Sequence, residues 1–167
     1  IMQADKNFDN IKVIFSDFDG VFTDGTGLID CEGRVSKKVN YRDVLGLFLA
    51  LEAGLQVVII TGEKAGAVDY LAEKFPQITT FQGIRYKLPV IQEYVEKNNL
   101  KPENILYIGD DINDFKALNY AGVKVTVPNG DDLVKNINGI IITEKSGGEG
   151  VFREVTDCLL YNKTSTF

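Results

Sequence analysis

The sequence predicts an α/β fold, a doubly wound, Rossmann-like parallel sheet with helices on both faces. Short runs of apolar and β-branched residues have the length of buried strands. Amphipathic helical patterns separate these runs, and strands that alternate with helices in this way form βαβ units and a parallel sheet. At 167 residues the chain is shorter than a closed eight-stranded α/β barrel, so we expect an open sheet.

Six runs fit the strands of the sheet, and most of them end at glycine, proline or a polar residue. In chain order they are 13–16, 55–60, 78–81, 104–108, 123–127 and 139–142. The segment 26–39, between the first two runs, has roughly alternating residues around a Glu32–Gly33 turn. This pattern is typical of a β-hairpin, which we expect to project from the sheet.

Helical patterns follow most of the strands. They cover 44–53, 65–75, 87–97, 115–121, 131–136 and the segment after Gly150. Asp43 is the predicted N-cap of the first helix, and Gly54 stands at its C′ position. This helix is apolar almost all round, so we expect more than one of its faces to be covered.

The composition excludes several classes of function. The chain has no histidine, which rules out Ser-His-Asp and Cys-His nucleophile systems and histidine-ligated zinc. A net charge of −6 without a strong Lys/Arg cluster argues against nucleic acid or an anionic membrane surface as a partner. No aliphatic run is long enough to cross a bilayer, and no signal peptide is visible. Two distant cysteines without metal-ligand spacing indicate reduced thiols, so we expect a cytoplasmic protein.

Two carboxylates directly follow the first strand. Asp17 and Asp19 are spaced i, i+2, so both side chains can point to one spot as the chain leaves the sheet. Two like charges about 4 Å apart repel by roughly 4 kcal/mol at an effective dielectric constant of about 20. The pair therefore indicates a bound cation, a shared proton or a reaction, although an ordinary acidic turn would contain the same residues.

Other polar residues stand where neighbouring strands end, and parallel α/β sheets have their sites at these carboxyl ends. In chain order the ends present Asp17 and Asp19, Thr61, Lys87 after a glycine loop, and Asp110, Asp111 and Asp114. Together they would supply carboxylates for a hard cation, and a hydroxyl and an ammonium group for phosphate oxygens.

These motifs resemble those of the haloacid dehalogenase-like phosphohydrolases. Four motifs match that superfamily in its order: Asp17–Val21, Thr61, Lys87 and Gly109–Asp114. The chain is also similar to the 3-deoxy-D-manno-octulosonate-8-phosphate phosphatases and their nonulosonate-phosphate relatives. The segments shared with those families are Gly20–Gly25, Tyr41–Asp43, Ile60–Gly62, Gln82–Ile84, Tyr107–Asp111, Gly147–Gly150 and Arg153–Glu154.

The resemblance implies a phosphatase that works through an aspartyl-phosphate intermediate. Asp17 would be the nucleophile, which needs no general base because it attacks as a carboxylate. Asp19 would protonate the leaving alkoxide and then deprotonate the water that hydrolyses the intermediate. Thr61 with Gly62, and Lys87, would bind the phosphate oxygens.

The resemblance also implies Mg²⁺ as cofactor. A phosphate with a charge of about −1.5 to −2 cannot approach Asp17 unassisted. The implied ligands are the Asp17 carboxylate, the backbone carbonyl of Asp19 and the Asp110 carboxylate. Asp111 and Asp114 would lie behind these ligands and contact ligand waters or Lys87.

Many relatives have a cap domain over this site, but here only 25 residues lie between Thr61 and Lys87. We therefore expect residues 1–167 to form a single domain without a cap and with an open site. The resemblance implies a homotetramer in which neighbouring subunits line the entrance. Gly147–Gly150 and Arg153 would then help to shape the substrate pocket.

The implied substrate is the phosphate of a 2-keto-3-deoxy sugar acid. Glu63 stands where octulosonate-phosphate enzymes often have a basic residue. In having an acidic residue at this position, the chain resembles the enzymes that act on nine-carbon acids. Octulosonate 8-phosphate and nonulosonate 9-phosphate therefore both stay open. The alternatives are a non-catalytic oligomerisation or regulatory module of the same fold, and a receiver-like signalling domain, which does not show the i, i+2 Asp pair.

Overall fold

The structure is a computed structural model that describes residues 8–161. Its strands are β1 (Val13–Ser16), β2 (Leu28–Ile29), β3 (Val35–Ser36), β4 (Gln56–Ile60), β5 (Thr79–Phe81), β6 (Ile105–Ile108), β7 (Val123–Thr126) and β8 (Ile141–Ile142). Its α-helices are α1 (Tyr41–Glu52), α2 (Gly66–Lys74), α3 (Lys87–Lys97), α4 (Phe115–Tyr120), α5 (Asp132–Lys135) and α6 (Val151–Tyr161). The predicted α/β class and the order of elements are confirmed.

β1 lies inside a six-stranded parallel sheet of order β5-β4-β1-β6-β7-β8. Ser16, its last residue, pairs with Ile59 of β4 on one side and with Ile108 of β6 on the other. The chain builds the sheet first on the β4 side and then crosses to the β6 side. The carboxyl end of β1 is therefore at the switch point, where open α/β sheets form a crevice for ligands.

Side chains of β1 alternate between two hydrophobic cores. Ile14 belongs to a core that includes residues of α1, α2 and α6, whereas Val13 and Phe15 belong to a core with residues of α3 and α4. Each face of the sheet therefore packs against helices, as the doubly wound prediction requires. Within residues 8–161, every helix is too short or too polar to span a membrane.

The predicted hairpin is present, but its paired strands are short. β2 and β3 have two residues each, and Leu28 pairs with Ser36 while Ile29 pairs with Val35. The apolar side chains of the hairpin are exposed, at 74% for Leu28 and 68% for Ile29. A two-stranded ribbon that buries so little apolar surface is marginally stable by itself.

Helix α1 begins three residues before the predicted start, so the prediction of Asp43 as its N-cap is wrong. Asn40 is the N-cap, because its side-chain oxygen accepts a hydrogen bond from the backbone N–H of Arg42 at 2.9 Å. Asp43 is buried in the first turn, and its Oδ1 accepts a hydrogen bond from the backbone N–H of Arg153 at 2.9 Å. Asp43 therefore caps the start of α6, which packs beside its own helix.

The apolar surface of α1 is only partly covered within one chain. Val44, Leu47 and Ala50 are buried, but Leu45 and Phe48 are each 46% exposed. The expectation that more than one face of α1 is covered is met by its contacts with the sheet and with α6, while the face with Leu45 and Phe48 is open within residues 8–161.

Candidate active site

The nucleophile predicted from the sequence, Asp17, is fixed at the end of β1. Its backbone N–H donates to the carbonyl oxygen of Ile108 at 2.9 Å, which extends the pairing with β6 by one residue. Its Oδ1 accepts a hydrogen bond from the backbone N–H of Phe18 at 2.7 Å. Its Oδ2 lies 2.9 Å from Nζ of Lys87, and both side chains are almost completely buried. The carboxylate therefore has one defined orientation.

Lys87, the first residue of α3, connects two of the predicted acidic residues. Its Nζ lies 2.9 Å from Asp17 Oδ2 and 2.7 Å from Asp114 Oδ1. The buried hydroxyl of Tyr107 also donates to Asp114 Oδ1, at 2.6 Å, and the backbone N–H of Asp110 donates to Asp114 Oδ2 at 3.1 Å. Asp114 is thus held by several donors and anchors both Lys87 and the loop that carries Asp110.

Asp110 lies against the loop that follows β1. Gly20 in that loop has a φ of +80°, and a Cβ atom there would lie 1.8 Å from Asp110 Oδ2. Only glycine permits both this backbone conformation and this approach. As a result, single carboxylate oxygens of Asp17, Asp110 and Asp114 all lie within 4.8 Å of one another.

The environment opposes ionisation of these crowded carboxyls. Burial, and then the charge of Asp114, raises the pKa of Asp17 well above its usual value, while Lys87 acts in the opposite direction. Burial, with the charges of Asp114 and Asp111, raises the pKa of Asp110 to about 7. Burial acts to lower the pKa of Lys87, but the carboxylates beside it outweigh this effect and raise it. An additional cation would favour the ionised forms of both Asp17 and Asp110.

This donor set fits a hard divalent cation such as magnesium. Magnesium prefers oxygen ligands, and the two predicted carboxylate ligands, Asp17 and Asp110, belong to one compact cluster. The positive charge of a metal ion would also reverse the effect of crowding on their pKa values. Asp114 already accepts hydrogen bonds on both oxygens, which suits its predicted place behind the ligands.

The Asp19 carboxylate has different surroundings. Its Oδ2 lies 2.5 Å from Nζ of Lys37, and its Oδ1 accepts a hydrogen bond from the hydroxyl of Thr23 at 3.2 Å. Its side chain is 29% exposed, compared with 6% for Asp17. The two carboxylates of the first motif therefore differ in burial and in charged partner, which suits two different chemical roles.

Thr61 directly follows β4 at the same edge of the sheet. It is buried, its backbone N–H donates to Phe81 O at 2.9 Å, and its carbonyl accepts from Ile84 at 3.0 Å. Gly62 and Glu63, the next two residues, are exposed. The predicted hydroxyl is thus on a rigid strand end, while Glu63 is on the solvent side.

Two other predicted residues, Asp111 and Arg153, make local contacts within their own segments. Asp111 is exposed, and its Oδ1 accepts a hydrogen bond from the backbone N–H of Ile112 at 2.6 Å. The Arg153 side chain forms an ion pair with Asp157, one turn along α6, at 2.7 Å. These contacts leave the roles of both residues as predictions.

The glycine loop before α6 packs against the loop after β1. The backbone N–H of Gly148 donates to Val21 O at 3.0 Å, and that of Gly147 donates to the side chain of Asn129 at 3.2 Å. A Cβ atom on Gly147 would lie 2.1 Å from the carbonyl oxygen of Gly20. The loop is thus part of the structure that supports the acidic cluster.

Sequence reasoning did not single out Tyr107 or Lys37. Tyr107 lies within a buried aliphatic strand. A buried phenol hydroxyl needs a hydrogen-bond partner, and this need was the signal in the sequence that could have identified the residue. Lys37 is one of two adjacent lysines after the hairpin. Only the alternation of side chains along an extended chain distinguishes it from Lys38.

The fold and the site together define a haloacid dehalogenase-like hydrolase. A family model with that description matches residues 83–155, which include the third and fourth motifs. A crystal structure of the 3-deoxy-D-manno-octulosonate 8-phosphate phosphatase of Moraxella catarrhalis, in complex with magnesium, phosphate and KDO, has a TM-score of 0.88 and 33% identity. That similarity covers 93% of this chain and 88% of the other.

Two further relatives extend the comparison. The phosphatase of the same name from Salmonella typhi is 34% identical over 152 residues, which are 91% of this chain and 80% of that protein. The cobalt-bound enzyme of Haemophilus influenzae has a TM-score of 0.87 at 28% identity, covering 95% of this chain and 92% of the other. The chain therefore belongs to the 3-deoxy-D-manno-octulosonate 8-phosphate phosphatase family and is a phosphoric monoester hydrolase.

Proposed function

We propose that this phosphatase hydrolyses the phosphate ester of a 2-keto-3-deoxy sugar acid, with Mg²⁺, through an aspartyl phosphate on Asp17. The observation that carries the proposal is the buried Asp17 carboxylate, held between the Phe18 N–H and Lys87 at 2.7 and 2.9 Å. The names of the relatives support the substrate class, since they act on octulosonate 8-phosphate.

In the first half of the reaction, an Asp17 oxygen attacks phosphorus and the bond to the sugar oxygen breaks. Lys87 and the hydroxyl of Thr61 hold oxygens of the transferring phosphoryl group. Asp19 gives its proton to the departing sugar oxygen, so the sugar acid leaves as an alcohol. Its partial exposure supports this role, because a group that reaches the leaving oxygen must face the open side of the site.

In the second half, Asp19 accepts a proton from water while the water oxygen attacks the phosphorus of the aspartyl phosphate. The bond between phosphorus and Asp17 breaks, which restores the carboxylate and releases inorganic phosphate. Magnesium, when bound, neutralises the charges of the carboxylates and of the phosphate. Asp17, the Asp19 backbone carbonyl and Asp110 would hold it, with Asp111 and Asp114 behind them.

The proposal also concerns the number of carbon atoms in the sugar acid. The relatives named above support an eight-carbon acid. Glu63, exposed beside Thr61 and Gly62, supports a nine-carbon acid. A nonulosonate 9-phosphate and an octulosonate 8-phosphate are therefore the two substrates to compare.

We also propose that the chain acts as a single capless domain, residues 1–167, in a cytoplasmic homotetramer whose subunits complete the substrate pocket. The exposed apolar side chains support this assembly. Leu28 and Ile29 of the hairpin and Leu45 and Phe48 of α1 would otherwise face water. Arg153 and Gly147–Gly150 are the residues that we expect nearest to the pocket entrance.

Phosphate release from both sugar acid phosphates, with and without magnesium, tests the proposal. We expect turnover only with the metal, and we expect Asp17→Asn to abolish it. Turnover by Asp17→Asn at the wild-type rate would refute the mechanism. Light scattering of the same preparations tests the tetramer, and an active monomer would refute that part alone.

A further inference from the structure

Lys37 forms an ion pair with the proposed acid–base residue, Asp19. It follows β3 directly, so the hairpin positions it. Its Nζ lies 2.5 Å from Asp19 Oδ2, and its side chain is only 13% exposed. The same Nζ lies 6.0 Å from the ring centroid of Phe18, a buried residue between the two aspartates. By contrast, the next residue, Lys38, is exposed.

Among the described residues, Thr23 is the other hydrogen-bond partner of the Asp19 carboxylate. Asp19 Oδ1 accepts one hydrogen bond, 3.2 Å long, from the hydroxyl of Thr23. That hydroxyl also accepts from the backbone N–H groups of Gly20 at 3.3 Å and Gly25 at 3.1 Å, so it is shared within the loop. The Asp19 side chain is also partly exposed. The Lys37 ammonium is therefore the contact that defines where its Oδ2 points.

We infer that Lys37 is a positioning residue, which holds the Asp19 carboxylate in place to accept a proton from the water that attacks the aspartyl phosphate. The inference rests on the proposed function. In this step the water oxygen bonds to phosphorus, the bond from phosphorus to Asp17 breaks, and one water proton goes to Asp19. The other proton stays on the released phosphate.

The arrangement suits the second half of the reaction in particular. The attacking water needs a proton acceptor at a fixed place, and the Lys37 ammonium fixes Asp19 Oδ2 at 2.5 Å. Misplacement of a catalytic group by about 1 Å can cost about 100-fold in rate. The phosphoryl group itself is held by other residues, so its binding does not depend on Lys37.

Lys37→Met tests the inference, because methionine keeps an unbranched side chain over Phe18 but has no charge. The substrate for this test is p-nitrophenyl phosphate with enzyme in excess, since nitrophenolate leaves without a proton. We expect Lys37→Met to release nitrophenolate at nearly the wild-type rate and phosphate about 10- to 100-fold more slowly. In steady state, kcat should fall and KM should not rise. Lys37→Arg should restore part of the rate, and Lys38→Met, a matched change at an exposed site, should behave as wild type.

Two results would overturn the inference. One is phosphate release by Lys37→Met at the wild-type rate. The other is an equal loss in nitrophenolate and phosphate release, which would indicate a general structural effect. Asp17→Asn separates this test from the proposed function. If Asp17→Asn is inactive and Lys37→Met is unchanged, only the role of Lys37 is wrong, whereas turnover by Asp17→Asn refutes the mechanism itself.

Discussion

Asp43 is a buried carboxyl remote in sequence from the acidic cluster, and it should make the stability of the protein depend on pH. Burial raises its pKa from 3.8 to about 6, although the backbone N–H groups of Arg153 and Phe152 act in the opposite direction. Because the folded pKa exceeds the unfolded one, its contribution to stability is fully present below pH 3.8 and is lost as the pH rises through about 6.

The size of the effect follows from the two pKa values. A difference of about two pKa units corresponds to about 3 kcal/mol over the whole range, and to about 1.4 kcal/mol between about pH 5 and about pH 7.5. Asp43→Asn keeps an oxygen to accept the hydrogen bond from Arg153 but cannot ionise. The free energy of unfolding of wild type, relative to this variant, should therefore fall by about 1.4 kcal/mol over that pH range.

Urea unfolding at a fixed magnesium concentration measures this difference at each pH. We compare how the difference in unfolding free energy between wild type and Asp43→Asn changes with pH. A destabilisation by the amide side chain that is the same at every pH then cancels. Asp132→Asn is the control, because Asp132 is exposed and its hydrogen bond with Lys135 lowers its pKa. The unfolding free energy of Asp132→Asn should therefore change between about pH 5 and about pH 7.5 as that of wild type does. A constant difference between wild type and Asp43→Asn from about pH 5 to about pH 7.5 would refute the reasoning.

Three further predictions concern the site and its support. Gly147→Ala should lower kcat for phosphate release at least about 10-fold, because the new Cβ atom would lie 2.1 Å from Gly20 O. Gly66→Ala is the control, because Gly66 has open space around it, and this variant should be active in the same assay. Tyr107→Phe should lower the free energy of unfolding in urea by about 1–3 kcal/mol, since the buried Asp114 loses a donor; an unchanged midpoint would contradict this. Saturating magnesium, at about 100 times its Kd, should raise the free energy of unfolding by about 2.7 kcal/mol, and a chelator should remove both this gain and the turnover.

Most of the fold could be predicted because local patterns determine it. The buried runs and amphipathic segments predicted the strands and helices around the sheet to within two residues, except for α1, which begins three residues early. The meeting of Asp17, Lys87 and Asp110 was also predictable, since each stands at the carboxyl end of a strand or in the loop that follows one.

Contacts between distant segments could not be read from the sequence. Asp43 looked like the cap of its own helix because an acidic residue preceded an apolar run, but its partner is Arg153, on a helix that packs beside it. The exposure of Leu45 and Phe48 could not be predicted, because an apolar pattern does not tell whether the same chain or another copy covers a face of the helix. Local patterns specify elements, whereas packing decides which side chains meet.

The contact between Gly147 and Gly20 has a consequence for biosynthesis. The loop after β1, which carries the proposed nucleophile, is synthesised well before Gly147, which packs on it. A nascent chain can pair β1 with β4 long before this support exists, because domains fold as their segments emerge. The enzyme therefore becomes competent only after Gly147 has been synthesised, and a chain cut just before this residue should lose activity before it loses the pairing of β1 with β4.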